Sequence, residues 1–263
     1  MTLVCTVVNQ KGGVGKTTTT VNLAHGLALN GYNVVIIDLD PQGQVATALG
    51  INKEPCVYDW LVSRKPDYRS LVRPAQNNGS NRKSLFLIPG SEETADAQTL
   101  LAIKNVPLTF LHDLVQPLMG RVDFVIFDTS PSRGGQQGGL QERAMYAADI
   151  VLIPTQTQYA SADAVSGVFS TILTNQGKGW KGSIWVLPTF VEESTRQTRE
   201  IKEQLEESYQ KYLIDGIHKA TVLADAFGEG KTIWEYDGRS RAAIEYAKLV
   251  SRMMEVYRGK KNR

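Results

Sequence analysis

A glycine-rich stretch, NQKGGVGKTTTT at residues 9–20, directly follows the apolar run LVCTVV at residues 3–8. The apolar run is typical of a buried strand, and the residues after the glycines favour a helix. The three glycines, Gly12, Gly13 and Gly15, permit backbone conformations of positive φ that turn N–H groups inward. Because the following helix would present the positive end of its dipole to the same point, the stretch predicts an anion-binding loop.

Two lysines flank these glycines, and the spacing of the motif predicts a role for one of them. Lys16 is placed to reach the β- and γ-phosphates of a nucleotide, and the hydroxyl of Thr17 is placed to bind Mg²⁺. The usual pattern, G-x-x-x-x-G-K-[ST], has a glycine where this chain has Gln10, so the loop is a variant. We interpret it as a nucleotide-binding loop, although the pattern by itself assigns no role to the other lysine, Lys11.

Short apolar runs rich in β-branched residues recur along the chain, with helical patterns between them. Runs that are apolar on both faces are typical of buried parallel strands. Between the first two runs, apolar residues recur at helical spacing, and Gly31 follows as a C-terminal cap. The runs predicted as strands lie at residues 3–8, 33–38, 84–89, 123–128, 149–154, 183–188 and 212–217.

The alternation of strands and helices predicts an α/β fold with a doubly wound, mostly parallel central sheet flanked by helices. We predict one domain over residues 1–263, with a ligand site at the carboxyl ends of the strands. Residues 75–83, AQNNGSNRK, have the composition of an exposed loop. The loop TSPSRGGQQGGLQ at residues 129–141 directly follows a predicted strand, so it is either a mobile part of the site or a flexible surface loop.

The composition, 42% hydrophobic and 21% charged, is close to the average of soluble globular proteins. A membrane span needs about 18 apolar residues, and no apolar stretch approaches that length. Because the N-terminus also has no export pattern, we expect a cytoplasmic protein. Cys5 and Cys56 occur without a CxxC pair, which argues against a disulfide framework, a zinc site or an iron–sulfur site. The histidines His25, His112 and His218 lie in unrelated contexts and indicate no Ser-His-Asp site.

Positive charge is concentrated at the C-terminal end of the chain. Residues 239–263 contain eight basic and two acidic side chains, whereas the remaining residues contain 21 and 25. This asymmetry indicates a polyanionic partner, either nucleic acid or an anionic lipid surface, although a solvated basic helix would carry the same charge. We predict a basic helix at about 239–258 with an apolar stripe that is more typical of a core face than of a membrane anchor. The stripe comprises Tyr246, Leu249, Val250, Met253 and Tyr257.

The two-lysine loop resembles a known family motif. The string KGGVGKTT at residues 11–18 is similar to the deviant Walker A motif of the ParA/MinD family of P-loop ATPases, and DLDPQGQ at residues 38–44 resembles that family's next motif. The resemblance implies ATP and Mg²⁺ as cofactors and a homodimer that sandwiches two ATP molecules. It also implies that Lys11 reaches the partner's nucleotide while Lys16 binds its own. The implied nucleotide contacts are Lys11, Gly12, Gly13, Val14, Gly15, Lys16, Thr17 and Thr18.

Three aspartates lie at the ends of predicted strands. Asp38 and Asp40 are two positions apart in an extended segment, so their side chains point to the same side, and Asp128 ends another strand. The resemblance implies that Thr17 ligates Mg²⁺, that Asp38 helps to hold a water bound to Mg²⁺, and that Asp128 acts from beyond the direct ligands of the ion. It also implies that Asp40, in the switch I segment, orients the attacking water. The implied catalytic residues are Lys11, Lys16 and Asp40.

The segment after Asp128 departs from the family pattern. Partition ATPases commonly have Cys-Pro-Pro or a similar trio there, whereas this chain has Thr129-Ser130-Pro131 and then Arg133-Gly134-Gly135-Gln136-Gln137. This difference bears on the hydrolysis rate and on the activator that binds there, but not on nucleotide binding.

Two later segments also resemble the family. At residues 187–201, the similarity makes Pro188 and Phe190 candidates for adenine contact, although a strand-ending turn with a core aromatic fits them equally well. Residues 216–249 correspond to the neighbourhood in which partition ATPases contact DNA without sequence preference. The implied DNA-binding residues are Lys219, Arg239, Arg241, Lys248 and Arg252.

The resemblance implies a nucleoid-associated ATPase with slow, partner-stimulated hydrolysis, whose ATP-bound dimer binds nonspecific double-stranded DNA. Its cargo would be a plasmid or chromosome with a ParB-like activator, or a protein body such as a carboxysome with an McdB-like activator. Three alternatives remain. A MinD-like membrane ATPase is opposed by the polar tail RGKKNR at residues 258–263. A reductase like the nitrogenase iron protein lacks suitably placed cysteines, and a ligase such as dethiobiotin synthetase would act on a small carboxylate or amine.

Overall fold

A central β-sheet organises the computed structural model of this chain. Across the sheet the strand order is β3-β4-β2-β5-β1-β6-β7, and every pairing among these strands is parallel except that of β3 with β4. The strands are β1 (Leu3–Val7), β2 (Val34–Asp38), β3 (Arg73–Pro74), β4 (Leu85–Ile88), β5 (Phe124–Asp128), β6 (Ile150–Gln156) and β7 (Ser183–Thr189). The structure describes residues 1–63, 65–77, 79–131, 139–157, 161–192, 203 and 207–262, and for residues 161–164 it describes the backbone.

Helices cover both faces of this sheet. The α-helices of the described chain are α1 (Lys16–Leu29), α2 (Gln44–Ala48), α3 (Val57–Val62), α4 (Tyr68–Leu71), α5 (Glu93–Ile103), α6 (Phe110–Val115), α7 (Leu140–Ala147), α8 (Ser161–Gly177), α9 (Thr221–Gly228), α10 (Ile233–Asp237) and α11 (Arg241–Lys261). The predicted fold class, a mostly parallel sheet with flanking helices, is confirmed.

Side-chain alternation along the strands divides the core into two layers. On β1, Leu3, Cys5 and Val7 pack into the layer that contains α1 and α11. Val4 and Val8 face the other layer, which contains α3, α5, α6, α7 and α8. Because both faces are covered, the strands carry apolar residues at successive positions, which is the pattern that made them recognisable in the sequence.

Glycines bound the first helix at both ends. Gly15 precedes α1 with a φ of 86°, a left-handed conformation that glycine adopts without steric cost. At the other end, Gly31 has a φ of 84°, and its amide donates to the carbonyl of Ala28 at 3.0 Å. The predicted C-terminal cap is therefore confirmed.

The prediction of a strand at residues 212–217 is wrong. The chain leaves a 3-10 helix, Gln210–Tyr212, and then runs beside β7 with isolated bridges instead of a ladder. The amides of Ile214 and Ile217 donate to β7 carbonyls at 3.0 and 2.8 Å. The exposed Asp215 lies between them, so an apolar run in the sequence does not become a continuous buried strand.

The prediction of an exposed loop at residues 75–83 is also wrong in part. Arg82 is 1% exposed. Its guanidinium donates to both carboxylate oxygens of Glu235, at 2.9 and 2.7 Å, and to the carbonyls of Leu49 and Gly230 at 2.6 and 2.8 Å. A polar local composition does not reveal this burial, because the partners come from distant parts of the chain.

The C-terminal helix spans Arg241–Lys261 instead of about 239–258. Ser240 caps it, since the Ser240 side chain accepts a hydrogen bond from the Ala243 amide at 3.3 Å, and this places Arg239 outside the helix. The predicted stripe from Tyr246 to Tyr257 is buried against the core, as expected. Among the described residues, none of the helices combines the length and apolar character required to cross a membrane.

Candidate active site

The predicted phosphate loop and the three aspartates meet at one edge of the sheet. β1 leads into the loop, while the neighbouring β2 and β5 end at Asp38 and Asp128. These two aspartates are directly opposite each other in the register of β2 and β5. Because adjacent parallel strands end at the same edge, residues that are distant in sequence converge there.

The loop itself is held in shape by its own glycines and by a strand-end asparagine. Gly13 and Gly15 have φ values of 71° and 86°. The Asn9 side chain donates to the Pro154 carbonyl at 2.8 Å and accepts from the Lys11 amide at 2.9 Å. Asn9 thus ties the loop to the end of β6.

Two further side chains support the loop, and sequence reasoning missed both. Gln156, at the end of β6, donates to the Gly13 carbonyl at 2.7 Å. Thr189, at the end of β7, donates to the Val14 carbonyl at 2.9 Å. In the sequence, each of these two residues is a polar residue at the end of an apolar run. The run does not reveal the hydrogen-bond partner of that residue, because the partner depends on the order of strands in the sheet.

The two lysines of the loop have different surroundings. Lys16 is buried, and its ammonium donates to the Lys11 carbonyl at 2.9 Å. Burial lowers the pKa of Lys16, while the charges of Asp128 and Asp40 oppose that shift. Lys11 is half-buried at the rim, and its ammonium makes no hydrogen bond or ion pair with any described residue.

Asp128 is fully buried and accepts two hydroxyl hydrogen bonds. Thr17 donates to one carboxylate oxygen at 2.7 Å, and Thr20 donates to the other at 2.8 Å. Burial raises the pKa of Asp128 to about 6, although both hydroxyls and the nearby Lys16 charge oppose that rise. This bond places the Thr17 hydroxyl beside the Asp128 carboxylate, two of the groups that the resemblance assigns to the Mg²⁺ site.

Asp38 and Asp40 shape the segment that follows β2. Asp38 is fully buried and accepts from the amides of Asp40 at 3.0 Å and Val45 at 3.2 Å. Burial, followed by the charge of Asp128, raises the pKa of Asp38 well above its usual range. Asp40 accepts from the Gln42 amide at 2.9 Å through one carboxylate oxygen. Gly90, beyond β4, packs so closely on this segment that a Cβ would collide with the Asp40 carbonyl.

These residues fit an Mg²⁺ ion that is also bound by a nucleotide. Asp38 and Asp128 place two buried carboxyl groups side by side, which is unfavourable for their charged forms unless a cation lies nearby. In the described part of the chain, no group of three or more His, Cys, Asp or Glu side chains could hold a metal ion by itself. Mg²⁺ commonly takes one or two carboxylates, a hydroxyl and phosphate oxygens as ligands, so Thr17 and the two aspartates would suffice. Bound there, the ion would neutralise phosphate charge.

An apolar cavity of about 280 Å³ opens beside the loop. Its walls come from Gly15 and Thr18, from Phe190 after β7, from residues 217–220, from α9 and from Tyr246 of α11. Phe190 has a φ of 54°, which is strained for a residue with a side chain. Of the two predicted adenine contacts, Phe190 lines this cavity, whereas Pro188 is buried in β7 and does not line it.

The predicted DNA-binding residues are exposed but differ in their contacts. Lys219 pairs with Glu192 at 2.5 Å, and Arg252 lies over the Trp185 ring at 5.3 Å. Arg241 pairs with Glu245 at 2.8 Å. Lys248 lines a shallow groove of α11, and Arg239 lies in the turn that precedes the helix.

The unusual segment after β5 is described in part. The hydroxyl of Thr129 donates to the Val7 carbonyl at 2.9 Å, and Pro131 lies beside Gly12. This region therefore lies beside the phosphate loop. Arg133-Gly134-Gly135-Gln136-Gln137 lies outside the described residues.

The histidines occupy three different settings. His25 is buried, with its ring nitrogens 2.6 Å from the Thr232 hydroxyl and 3.3 Å from the Asn81 carbonyl. His112 is exposed. His218 lines the apolar cavity and contacts Glu245.

Known proteins resemble this chain over nearly its whole length. A family profile described as "AAA domain" matches residues 2–181. The sporulation initiation inhibitor protein Soj of Bacillus subtilis is 33% identical, over 92% of this chain and 94% of the relative. The chromosome partitioning protein ParA of Myxococcus xanthus is 30% identical, over 96% of this chain and 88% of the relative.

Solved structures share the fold. The complex of a Cyanothece McdA variant with ATP has a TM-score of 0.83 at 21% identity, and the match covers 97% of this chain and 96% of that chain. At this identity the likeness concerns the fold alone. The family assignment rests instead on the profile match and on the identity with Soj, because each extends over most of the chain. The chain belongs to the ParA/MinD family of P-loop ATPases.

Proposed function

We propose that this protein is a positioning ATPase that dimerises around two ATP molecules and binds double-stranded DNA without sequence preference in that state. One observation carries the proposal. Lys16 already supplies a buried cation to the loop, while the Lys11 ammonium at the rim has no partner in the described part of the chain. A second cation at the rim suits a triphosphate brought by another subunit.

Hydrolysis would convert ATP and water into ADP and phosphate at the edge formed by β1, β2 and β5. We infer that Lys16 neutralises phosphate charge, and that Thr17, Asp38 and Asp128 form the Mg²⁺ site. One oxygen of Asp40 is engaged by the Gln42 amide. The other oxygen accepts no hydrogen bond from any described residue, so we infer that it orients the attacking water, as the family resemblance implies.

The γ-phosphate would act as the switch between two states. A lysine that reaches a neighbour's triphosphate favours the dimer only while that phosphate is present. We infer that hydrolysis, stimulated by a ParB-like or McdB-like partner on the cargo, returns the protein to the monomer and releases DNA. The cargo would be a plasmid, a chromosome or a protein body such as a carboxysome, and the protein would be cytoplasmic and associated with the nucleoid.

The DNA interface in this proposal is the basic surface around α11. Arg239, Lys248 and Arg252 are exposed there, and Lys260 and Lys261 follow at the helix end. Contacts from such side chains to phosphates carry no sequence preference and weaken strongly with salt. The names of the relatives Soj and ParA, which refer to sporulation and chromosome partitioning, are consistent with a protein that acts on DNA.

Electrophoretic retardation of an arbitrary DNA duplex tests the proposal. We expect retardation with ATP and Mg²⁺, but not with ADP or without nucleotide, and a marked loss when the salt concentration is raised. Equal mobility of the duplex in all three nucleotide conditions at low salt would show that DNA binding is not a function of the ATP state.

A further inference from the structure

One wall of the apolar cavity is attached to the N-terminal part of α11. This wall, residues 217–220, includes His218, whose ring lines the cavity. The His218 amide donates to one carboxylate oxygen of Glu245 at 2.8 Å, and the His218 Nδ1 atom lies 2.7 Å from the other. Glu245 therefore holds both the backbone and the side chain of this residue.

Arg241 completes the arrangement from one turn earlier on α11. Its Nε donates to Glu245 at 2.8 Å, and its Nη2 lies 2.6 Å from His218 Nε2. A guanidinium group only donates hydrogen bonds, so Nε2 must accept and the ring proton must lie on Nδ1, where it donates to Glu245. The three side chains thus form a closed ring of hydrogen bonds with one consistent tautomer.

Glu245 depends on these donors because it is largely buried. Its side chain is 10% exposed. Burial alone would raise the pKa of Glu245, but the hydrogen bonds from the His218 amide, Arg241 and the His218 ring outweigh burial and lower it. Removing Arg241 would therefore weaken the anchor of the cavity wall.

The cavity is placed to receive the base of a nucleotide. It begins at Gly15 and Thr18, so a nucleotide whose phosphates lie on the loop would extend into it. Phe190 and Phe227 provide aromatic surface on its walls, which suits a flat heterocycle. Tyr246, on the same helix as Arg241, also lines the cavity. Its hydroxyl lies 3.3 Å from the Thr19 hydroxyl.

We propose that Arg241 and Glu245 are positioning residues for the base of the bound nucleotide, acting through His218. This inference rests on the proposed binding of ATP and deepens it. Arg241 is then a support of the nucleotide site and not a free contact for DNA phosphate. Arg239 is the comparison residue for Arg241, because the Arg239 side chain makes no hydrogen bond or ion pair with any described residue.

The matched variants Arg241→Ala and Arg239→Ala separate these roles. Isothermal titration with Mg-ADP and with Mg-pyrophosphate measures binding with and without the base. For Arg241→Ala we expect about tenfold weaker binding of Mg-ADP, the size of effect typical for a lost charge-assisted hydrogen bond, and unchanged binding of pyrophosphate. Arg239→Ala should bind both ligands like the wild type but retard DNA more weakly in the presence of saturating ATP.

Two results would overturn the inference. One is wild-type Mg-ADP affinity in Arg241→Ala, whatever its DNA retardation; weakened retardation in that variant would make Arg241 a DNA contact. The other is an equal loss of ADP and pyrophosphate binding, which would indicate general damage. If Arg241→Ala does not fold, as judged by circular dichroism, Glu245→Gln tests the same ring and should show the same selective loss. Failure of the wild type to bind Mg-ADP would instead contradict the proposed function.

Discussion

Lys11 and Lys16 carry the same charge on one loop but lie in different environments. Lys16 is 7% exposed and hydrogen-bonded within the loop. Lys11 is half-buried at the rim and has no partner among the described residues. Because a buried cation neutralises charge within its own subunit and a rim cation can act on another molecule, substitutions of the two should have different effects.

Lys11→Ala should abolish ATP-dependent dimerisation and DNA retardation while leaving nucleotide binding by the monomer, since Lys16 remains. Sedimentation velocity with ATP and with ADP measures the first effect, and titration with a nucleotide measures the second. Lys16→Ala serves as the contrast, because it should lose nucleotide binding itself. Wild-type sedimentation of Lys11→Ala in the presence of ATP would refute the trans role of this lysine.

Asp40→Ala should keep ATP binding and dimerisation but lose turnover by about a hundredfold or more, as expected for loss of a group that orients the reacting water. Release of phosphate measures turnover, and sedimentation with ATP reports the dimer. Asp67→Ala, at the exposed N-cap of α4, provides a distant control. Undiminished phosphate release from Asp40→Ala would show that another group orients the water.

At the scale of elements, the helix that carries the phosphate loop packs directly on the basic helix. Gly26 of α1 lies where a Cβ would come within 2.6 Å of the Val250 side chain and 2.8 Å of the Trp234 ring. A side chain at this position would therefore push α1 away from α10 and α11. The contact links the nucleotide site to the surface that we propose for DNA.

Gly26→Ala should lower the free energy of unfolding by about 1–3 kcal/mol, since crowding in a packed core outweighs the helix propensity of alanine. Gly259→Ala is the matched control, because Gly259 lies in α11 with no atom within 4 Å of an added Cβ. The control should gain about 0.5–1 kcal/mol. Urea unfolding measures both, and a stabilised Gly26→Ala would disprove tight packing of these helices.

At the scale of the molecule, Arg82 joins three separate parts of the chain. It binds the Leu49 carbonyl after α2, the Gly230 carbonyl before α10 and the Glu235 carboxylate within α10. Burial would raise the pKa of Glu235, but Arg82 and the Thr232 amide outweigh burial and lower it. The lowered pKa means that Glu235 contributes stability above its unfolded pKa, and that this contribution is lost as pH falls through its folded pKa.

Arg82→Met should cost about 3–5 kcal/mol of unfolding free energy at neutral pH, because it leaves a largely buried carboxylate without its cation. The double variant with Glu235→Gln should recover part of that loss. Urea unfolding over a pH series checks both variants, and in Arg82→Met the pKa of Glu235 should rise, so that protonation becomes stabilising as pH falls. Additive losses in the double variant would show that the two side chains do not act as a pair.

Much of the site was predictable because its signals are local in the sequence. Glycines at fixed offsets, Gly-Lys-Thr at a strand-to-helix junction and aspartates that end apolar runs each carry their own chemistry. The sheet edge brings the loop, Asp38 and Asp128 together as predicted. The supporting contacts of Gln156 and Thr189 were not predictable, because they depend on which strands are neighbours.

By itself, the sequence determined the class of fold and the phosphate loop, since hydrophobic periodicity and glycine spacing act over a few residues. Only the tertiary structure decided that Arg82 is buried, that residues 212–217 form no strand and that Arg241 belongs to a ring with Glu245 and His218. In each case at least one partner lies more than 20 residues away in the sequence. The environment of a charged side chain is set by those partners, and local composition does not encode them.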